Sequence, residues 1–339
     1  MRAAMYYAND DVRIVDLPKP KIAAGEILVR VKASGICGSD VMEWYRKPKA
    51  PLVLGHEIAA EVTEVGAGVG TAKVGDRVFV SHHVPCGSCR YCATGHETVC
   101  DTLRTTNFDP GGFAEFVRVP AINVKHGVFA LPREISDDEA TFVEPLACGI
   151  RGQRLAGFRP GGTVLVIGSG VAGLLHAKLA KASGAGKVIA TDVVEYRKAA
   201  ARKAGADLVI DGRHDVPTEV KRANEGNLSD LVITCTGAPK AVAQGFASVD
   251  RGGTVLLFAP TEPASKIEMP FNALWREEIT VTSSYGGSPR DICDAIGLLA
   301  GKRIAVVDLI THVLPLADAA EGFRLVARAQ DSIKVILRP

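Results

Sequence analysis

Two groups of metal-ligating residue types stand in the first half of this chain. The tighter is Cys86-Gly87-Ser88-Cys89-Arg90-Tyr91-Cys92 followed by Cys100, a C-x2-C-x2-C-x7-C pattern. Four thiolates so close can surround one tetrahedral zinc, and a closed four-sulfur shell leaves no position for a substrate, so the task is structural. An iron–sulfur site and free surface thiols are the other readings, and the cluster alone suits a zinc-ribbon binding protein as well as an enzyme. The looser group comprises Cys37 in Gly35-Ile36-Cys37-Gly38-Ser39-Asp40, His56 in Gly55-His56-Glu57, and Glu144 in Val143-Glu144-Pro145. A thiolate, an imidazole and carboxylates form the mixed ligand set of a catalytic zinc that keeps one position open. Each also has a plain structural explanation. Cys37 suits a buried small hydrophobe, His56-Glu57 a polar turn, and Glu144 the end of a segment. Spacing alone leaves both explanations standing.

A third motif lies at Val164-Leu165-Val166-Ile167-Gly168-Ser169-Gly170-Val171-Ala172-Gly173, a strand entering a glycine-rich turn and then a helix. Gly168 permits the tight turn, Gly170 lets backbone approach a pyrophosphate, and Gly173 lets the helix pack close to the strand. The pyrophosphate would rest on the unpaired N–H groups around Val171 and Ala172. Asp192 ends the next apolar strand nineteen residues after Gly173, near the ~20-residue offset of an acid that binds ribose hydroxyls. A carboxylate there repels a 2′-phosphate, so NAD is expected rather than NADP. Arg197 either flanks the adenosine or is a surface arginine.

Elements that must hold these residues can be read from the pattern. Glu26–Lys32 alternates at period two, short apolar runs recur at Glu61–Val65 and Arg77–Val80, and many glycines punctuate the first third, as in a small barrel. From Gly162 to Phe258, strands at Thr163–Ile167, Val188–Thr191, Leu208–Ile210, Leu231–Cys235 and Thr254–Phe258 alternate with helical stretches, the signature of a parallel sheet. Helices are predicted at Asp291–Ala300 and Ala317–Ala327, and a closing strand at Ser332–Leu337. The 339 residues allow about two domains. With 40 basic and 38 acidic residues, the net charge of +2 gives no field for a polyanion, so nucleic acid and anionic membranes are excluded as expected partners. No secretion signal or span-length apolar run is visible, and the protein reads as cytoplasmic.

Taken together, these motifs resemble the medium-chain zinc-dependent alcohol and polyol dehydrogenase family, in its sorbitol and threonine dehydrogenase-like branch. The resemblance runs through Gly35–Asp40, Gly55–Glu57, the four cysteines, Gly75–Val78, Gly111–Glu115, Val143–Ala147 and the glycine fingerprint, in family order. It implies an α/β protein in which a Rossmann doubly wound parallel sheet is inserted into a β-rich GroES-like catalytic domain. The expected boundaries are 1–150 with the zinc lobe at 86–100, then 151–285, then a return at 286–339. The resemblance places a reactive zinc in the cleft between the domains, with Cys37 and His56 as ligands. Glu57 and Glu144 supply the remaining contacts, one directly and one through water. It also implies a second, structural zinc, NAD as coenzyme and a homodimer or homotetramer.

Two positions depart from the family pattern. Ala60 stands where a glycine is usual. Met42 stands where many relatives carry a histidine that passes a proton to solvent, and His82 and His83 have no place in the motif. The implied activity is reversible NAD-linked oxidation of a secondary alcohol of polyol or sugar type, with Ser39 hydrogen-bonding the alcohol and taking its proton. Threonine-like amino-alcohol oxidation and carbonyl reduction are the alternatives. Trp44, Tyr45 and Tyr285 are candidate pocket walls. A non-catalytic NAD-binding redox sensor would be expected to lose the reactive ligands, and here Cys37, Ser39, His56, Glu57 and Glu144 are all present.

Overall fold

The computed structural model describes residues 1–339 and divides into two compact units, Met1–Ala147 with Gly287–Pro339, and Cys148–Gly286. In the first unit lie strands β1 (Arg2–Ala8), β2 (Asp11–Asp16), β3 (Ile27–Gly35), β4 (Leu52–Val53), β5 (Glu57–Val65), β6 (Arg77–Val80), β7 (Phe116–Val119) and β8 (Val128–Ala130). The second unit holds β9 (Thr163–Ile167), β10 (Lys187–Asp192), β11 (Leu208–Asp211), β12 (Ser229–Thr234), β13 (Val249–Leu257) and β14 (Thr280–Ser283). The chain then returns to the first unit with β15 (Ile310–Pro315) and β16 (Lys334–Arg338).

Alternation explains the first unit. Ile27, Val29 and Val31 of β3 point into one core with Ile58, Ala60 and Val62 of β5 and Val78 and Val80 of β6, while the residues between them face away. The sheet runs β15-β16-β3-β5-β6-β8, with β7 also on β3. The β3–β5 pairing is antiparallel and sets Gly35 opposite Glu57. Residues just past the end of β3 and just before β5 are therefore neighbours in space. A Cβ on Gly35 would run into the Glu57 carboxylate and the Lys334 side chain, so any larger residue there would displace that buried pair.

The second unit is a six-stranded parallel sheet in the order β11-β10-β9-β12-β13-β14. That is the doubly wound order whose first strand leads into the phosphate-binding turn. Leu165 and Ile167 of β9 pack on one face with Ile189, Val232 and Val255, and Val164 and Val166 on the other with Val188, Leu231 and Ile233. A strand buried on both faces needs apolar residues at every position, which is why these strands read as unbroken runs.

The structure also moves or adds elements. β5 begins at Glu57 rather than Glu61, and the final helix spans Ala319–Arg328 after a 3-10 turn at Leu316–Asp318. The hairpin β1–β2 gives no period-two signal, because Ala and Tyr alternate with little polarity contrast. β14, Thr-Val-Thr-Ser, is a polar edge strand with half of its residues exposed. No helix is long and apolar enough to cross a membrane.

A Cβ on Gly173 would collide with the Gly168 carbonyl oxygen, which is backbone and cannot swing aside. Gly173→Ala is expected to destabilise the protein by about 1–3 kcal/mol, read as a lowered midpoint in denaturant unfolding.

Candidate functional site

Cys37 follows β3 and heads a 3-10 turn over Gly38–Val41. The turn is closed by a reciprocal cap: Ser39 N donates to Cys37 Sγ at 3.4 Å, and Cys37 N donates to Asp40 Oδ2 at 3.0 Å. His56 directly precedes β5, and its Nδ1 lies 3.5 Å from Asp40 Oδ1. A carboxylate behind an imidazole fixes the ring and its tautomer, leaving the other nitrogen for a metal. Cys37, His56 and Glu57 each offer a donor atom, and these atoms lie within 4.8 Å of one another.

Glu57 is almost fully buried. Its Oε2 is ion-paired with the buried Lys334 of β16, whereas its Oε1 has no hydrogen-bond partner. A buried, unanswered carboxylate oxygen beside a thiol and an imidazole is the group that a divalent cation would satisfy. The site's chemistry and this orphaned oxygen both fit zinc. Glu144, near the start of the helix Val143–Leu155, is half-buried and is not among the clustered donors.

Charge around the cluster is organised by Asp40. Burial pushes its carboxyl upward, but His56, Arg46 and the Cys37 N–H together outweigh that and hold it below the ordinary range. For His56, burial favours the neutral ring, and Asp40 reverses the balance and raises it. His82 stacks on His83 with centroids 3.8 Å apart and lies 4.8 Å from His56. Burial first, and then the positive charges of His56, Arg46 and Lys49, push His83 down to about 4. Burial first, and then the charges of His83, His56 and Arg46, also push His82 well below the ordinary imidazole range.

Ser39 is gripped by Arg46, whose Nε donates to the Ser39 carbonyl at 2.9 Å and whose Nη2 donates to Ser39 Oγ at 3.1 Å. Tyr45 lies under both Arg46 and Lys49. Trp44 is exposed, and Tyr285 belongs to the other unit. Met42 ends the turn half-buried and contributes no titratable group.

The four cysteines Cys86, Cys89, Cys92 and Cys100 converge, their sulfurs also within 4.8 Å of one another, and none is in a disulfide. Cys86 Sγ and Cys89 Sγ lie 3.9 and 3.5 Å from Cys92 Sγ. A zinc tetrahedron with ~2.3 Å bonds has sulfur–sulfur edges of about 3.8 Å, so the spacing fits. N–H groups of Ser88 and Cys89 and the Ser88 hydroxyl pull the Cys86 thiol down to about 5, while burial and the Cys89 thiol hold Cys92 up at about 12.

In the second unit Gly168 takes φ +93°, and the helix Val171–Ala182 starts at Gly170 without any side-chain cap. Its first N–H groups, at Val171, Ala172 and Gly173, are therefore left for an anion. Asp192 closes β10, where Oδ2 accepts from Ser169 N at 2.8 Å and Oδ1 from Val194 N at 2.9 Å. Those bonds aim the carboxylate from the strand end. The Arg197 guanidinium lies beside Gly170.

Three participants carried no role in the sequence reading. Asp40 had a usable signal, since Cys37-x-x-Asp40 has the spacing of a capping box with sulfur in place of the hydroxyl. Arg46 and Lys334 had none, because their roles depend on packing across the fold.

Comparison with known proteins gives concordant matches. Residues 23–132 match the family model described as alcohol dehydrogenase GroES-like domain, and residues 171–301 the one described as zinc-binding dehydrogenase. The chain is 40% identical over 335 residues to L-threonine 3-dehydrogenase of Pyrococcus abyssi, covering 95% of this chain and 93% of that protein. It is 34% identical to sorbitol dehydrogenase of Bacillus subtilis, covering 100% and 97%. Among solved structures, alcohol dehydrogenase TADH from Thermus sp. ATN1 superposes with a TM-score of 0.89 at 29% identity, covering 100% and 99%.

Asp40→Asn keeps the shape of the turn but removes the charge behind His56. Zinc affinity is expected to fall by about 10–100-fold, measured by competition with a chromophoric chelator.

Proposed function

The chain belongs to the medium-chain zinc-dependent dehydrogenase family, a family of NAD-dependent alcohol and polyol dehydrogenases, and on that premise we propose a reaction for it. The reaction is reversible NAD-linked oxidation of a secondary alcohol, polyol or sugar in type, to the corresponding ketone. The observation that carries the reading is the convergence of Cys37, His56 and Glu57, with Glu57 Oε1 buried and unbonded.

Cys37, His56 and Glu57 would hold the reactive zinc, and the four cysteines 86, 89, 92 and 100 the structural one. Zinc makes a hydroxyl more acidic, and NAD accepts a hydride. Asp40 keeps the His56 imidazole oriented as a ligand. Lys334 neutralises one oxygen of Glu57, so that the carboxylate presents the other. Ser39 Oγ already accepts from Arg46, and it retains one lone pair and its own proton. It can therefore take a proton from the alcohol while passing its own on, which supplies a relay that Met42 cannot. Asp192 would bind the ribose hydroxyls of NAD, with the pyrophosphate on the N–H groups from Val171 to Gly173.

Glu144 is read as acting from outside the three-donor group, and its loss is expected to affect turnover more than folding. A homo-oligomer is part of the proposal, carried over from the family. A second reading, oxidation of a 2-amino-3-hydroxy acid, is favoured by the name of the Pyrococcus relative, L-threonine 3-dehydrogenase.

Cys37→Ala is expected to remove one of two zinc equivalents and to abolish NAD reduction across a panel of secondary alcohols, measured by metal analysis and absorbance on one sample. Retention of both activity and metal would defeat the assignment. Asp192→Asn is expected to raise the KM for NAD by about tenfold or more, the loss of one charged hydrogen-bond partner, with kcat less affected.

A further inference from the structure

Inside the second unit one buried polar contact serves neither of the sites described above. His176, on the helix Val171–Ala182, has no exposed surface, and Gln153, near the end of the helix Val143–Leu155, is almost fully buried. The Gln153 amide nitrogen donates to the His176 carbonyl at 2.9 Å and lies 3.2 Å from His176 Nδ1. An amide NH2 carries two donors and no acceptor, so Nδ1 is the acceptor and the ring proton sits on Nε2. Burial alone pushes this imidazole down to about 3, which keeps the ring neutral and Nδ1 able to accept.

As a stabilising device the pair is a poor one. His176 Nε2 and Gln153 Oε1 are both buried with no hydrogen-bond partner in the protein. Matched apolar side chains in their place would avoid both desolvation penalties. What the pair supplies is direction. The core beneath the helix includes Ala156, Ala177 and Ala180, and such small side chains interlock weakly, so they resist sliding along the helix axis poorly. The elements around His176 also leave it little room. A Cβ on Gly152 would come within 3.3 Å of both the His176 and the Phe258 rings, and those two rings meet edge-to-face with centroids 4.4 Å apart.

Placement matters because of what this helix presents. Its first turn has no side-chain cap and leaves the N–H groups of Val171, Ala172 and Gly173 for an anion. At that end Gly173 lies against the Gly168 carbonyl. Gln153 holds the chain again at residue 176, about one turn further on. Two fixed points along an axis set its tilt as well as its place.

We propose that Gln153 is a positioning residue for the coenzyme: by holding the carbonyl and the ring of His176 it sets the register of the helix Val171–Ala182, and with it the aim of the N–H groups that receive the pyrophosphate. The inference rests on the reading above that the pyrophosphate lies on those groups.

The test uses the zinc-loaded, full-length protein with NADH, ADP and adenosine as probes. Dissociation constants are read from NADH fluorescence and its displacement, and unfolding midpoints from denaturant titration of the same samples. Gln153→Met is expected to weaken NADH and ADP binding by about fivefold or more, the scale of one charge-assisted hydrogen bond made less well, and to leave adenosine, which has no phosphate, within about twofold. The KM for NAD is expected to rise with kcat nearly unchanged. Gln153→Met combined with His176→Leu removes both polar partners. That double variant is expected to unfold at an equal or higher denaturant concentration while binding NADH as weakly as the single one. Unchanged NADH and ADP affinity, or an equal loss for adenosine, overturns the positioning role. So does a double variant that unfolds more readily, which would make the pair a stability element. In the unaltered protein, ADP bound no more tightly than adenosine would instead overturn the underlying reading, since the pyrophosphate would then not rest on this helix.

Discussion

A carboxylate taken wholly out of water must be answered on every side, and Asp40 is such a group. One of its oxygens caps the turn that presents Cys37, and the other faces His56 and Arg46. The thiol, the imidazole and the arginine that grips Ser39 are therefore positioned by one side chain. Moving any of the three would strand a buried charge, so the cluster is stiff without being on a long regular element. A ligand set that must meet a small cation with little reorganisation requires that stiffness.

The strands supply the rest. Because β3 and β5 pair with Gly35 opposite Glu57, Cys37 and His56 emerge on the same side of the sheet end. β16 then lies against β3, with Ile336 paired to Gly35, and delivers Lys334 to Glu57 from 277 positions away in the chain. Breaking such a buried pair from one side costs several kcal/mol, because the remaining charge is left alone. The final strand is thus part of the site as well as part of the sheet, and the segment after the nucleotide-binding unit has to return to the first unit for the site to be complete.

What could be read from sequence follows from how local each feature is. The four-cysteine pattern and the glycine fingerprint with Asp192 are set by short spacings and could be read locally, whereas Cys37, His56 and Glu57 were brought together only by the resemblance, their spacing alone leaving a structural explanation open. The strands of the second unit were legible because burial on both faces forces continuous apolar runs at Thr163–Ile167 and its neighbours. The edge strand Thr280–Ser283 was not, since one open side lets polar residues serve. Glu144 was grouped with the zinc ligands by resemblance, yet the three clustered donors come together without it. Lys334 and Arg46 were invisible for the opposite reason: a lysine in an apolar terminal strand and an arginine in a basic tetrapeptide look ordinary until the fold shows what they face.

The central claim is that this chain holds two zinc ions in two kinds of site, one closed by four sulfurs and one built from sulfur, nitrogen and carboxylate around Asp40. Anomalous diffraction recorded on either side of the zinc absorption edge, from crystals of the purified protein, tests it most directly. The account predicts two peaks per chain, one centred among Cys86, Cys89, Cys92 and Cys100 and one in contact with Cys37, His56 and Glu57. A zinc peak at the four cysteines alone, with the Cys37 site empty in zinc-replete crystals, would contradict it.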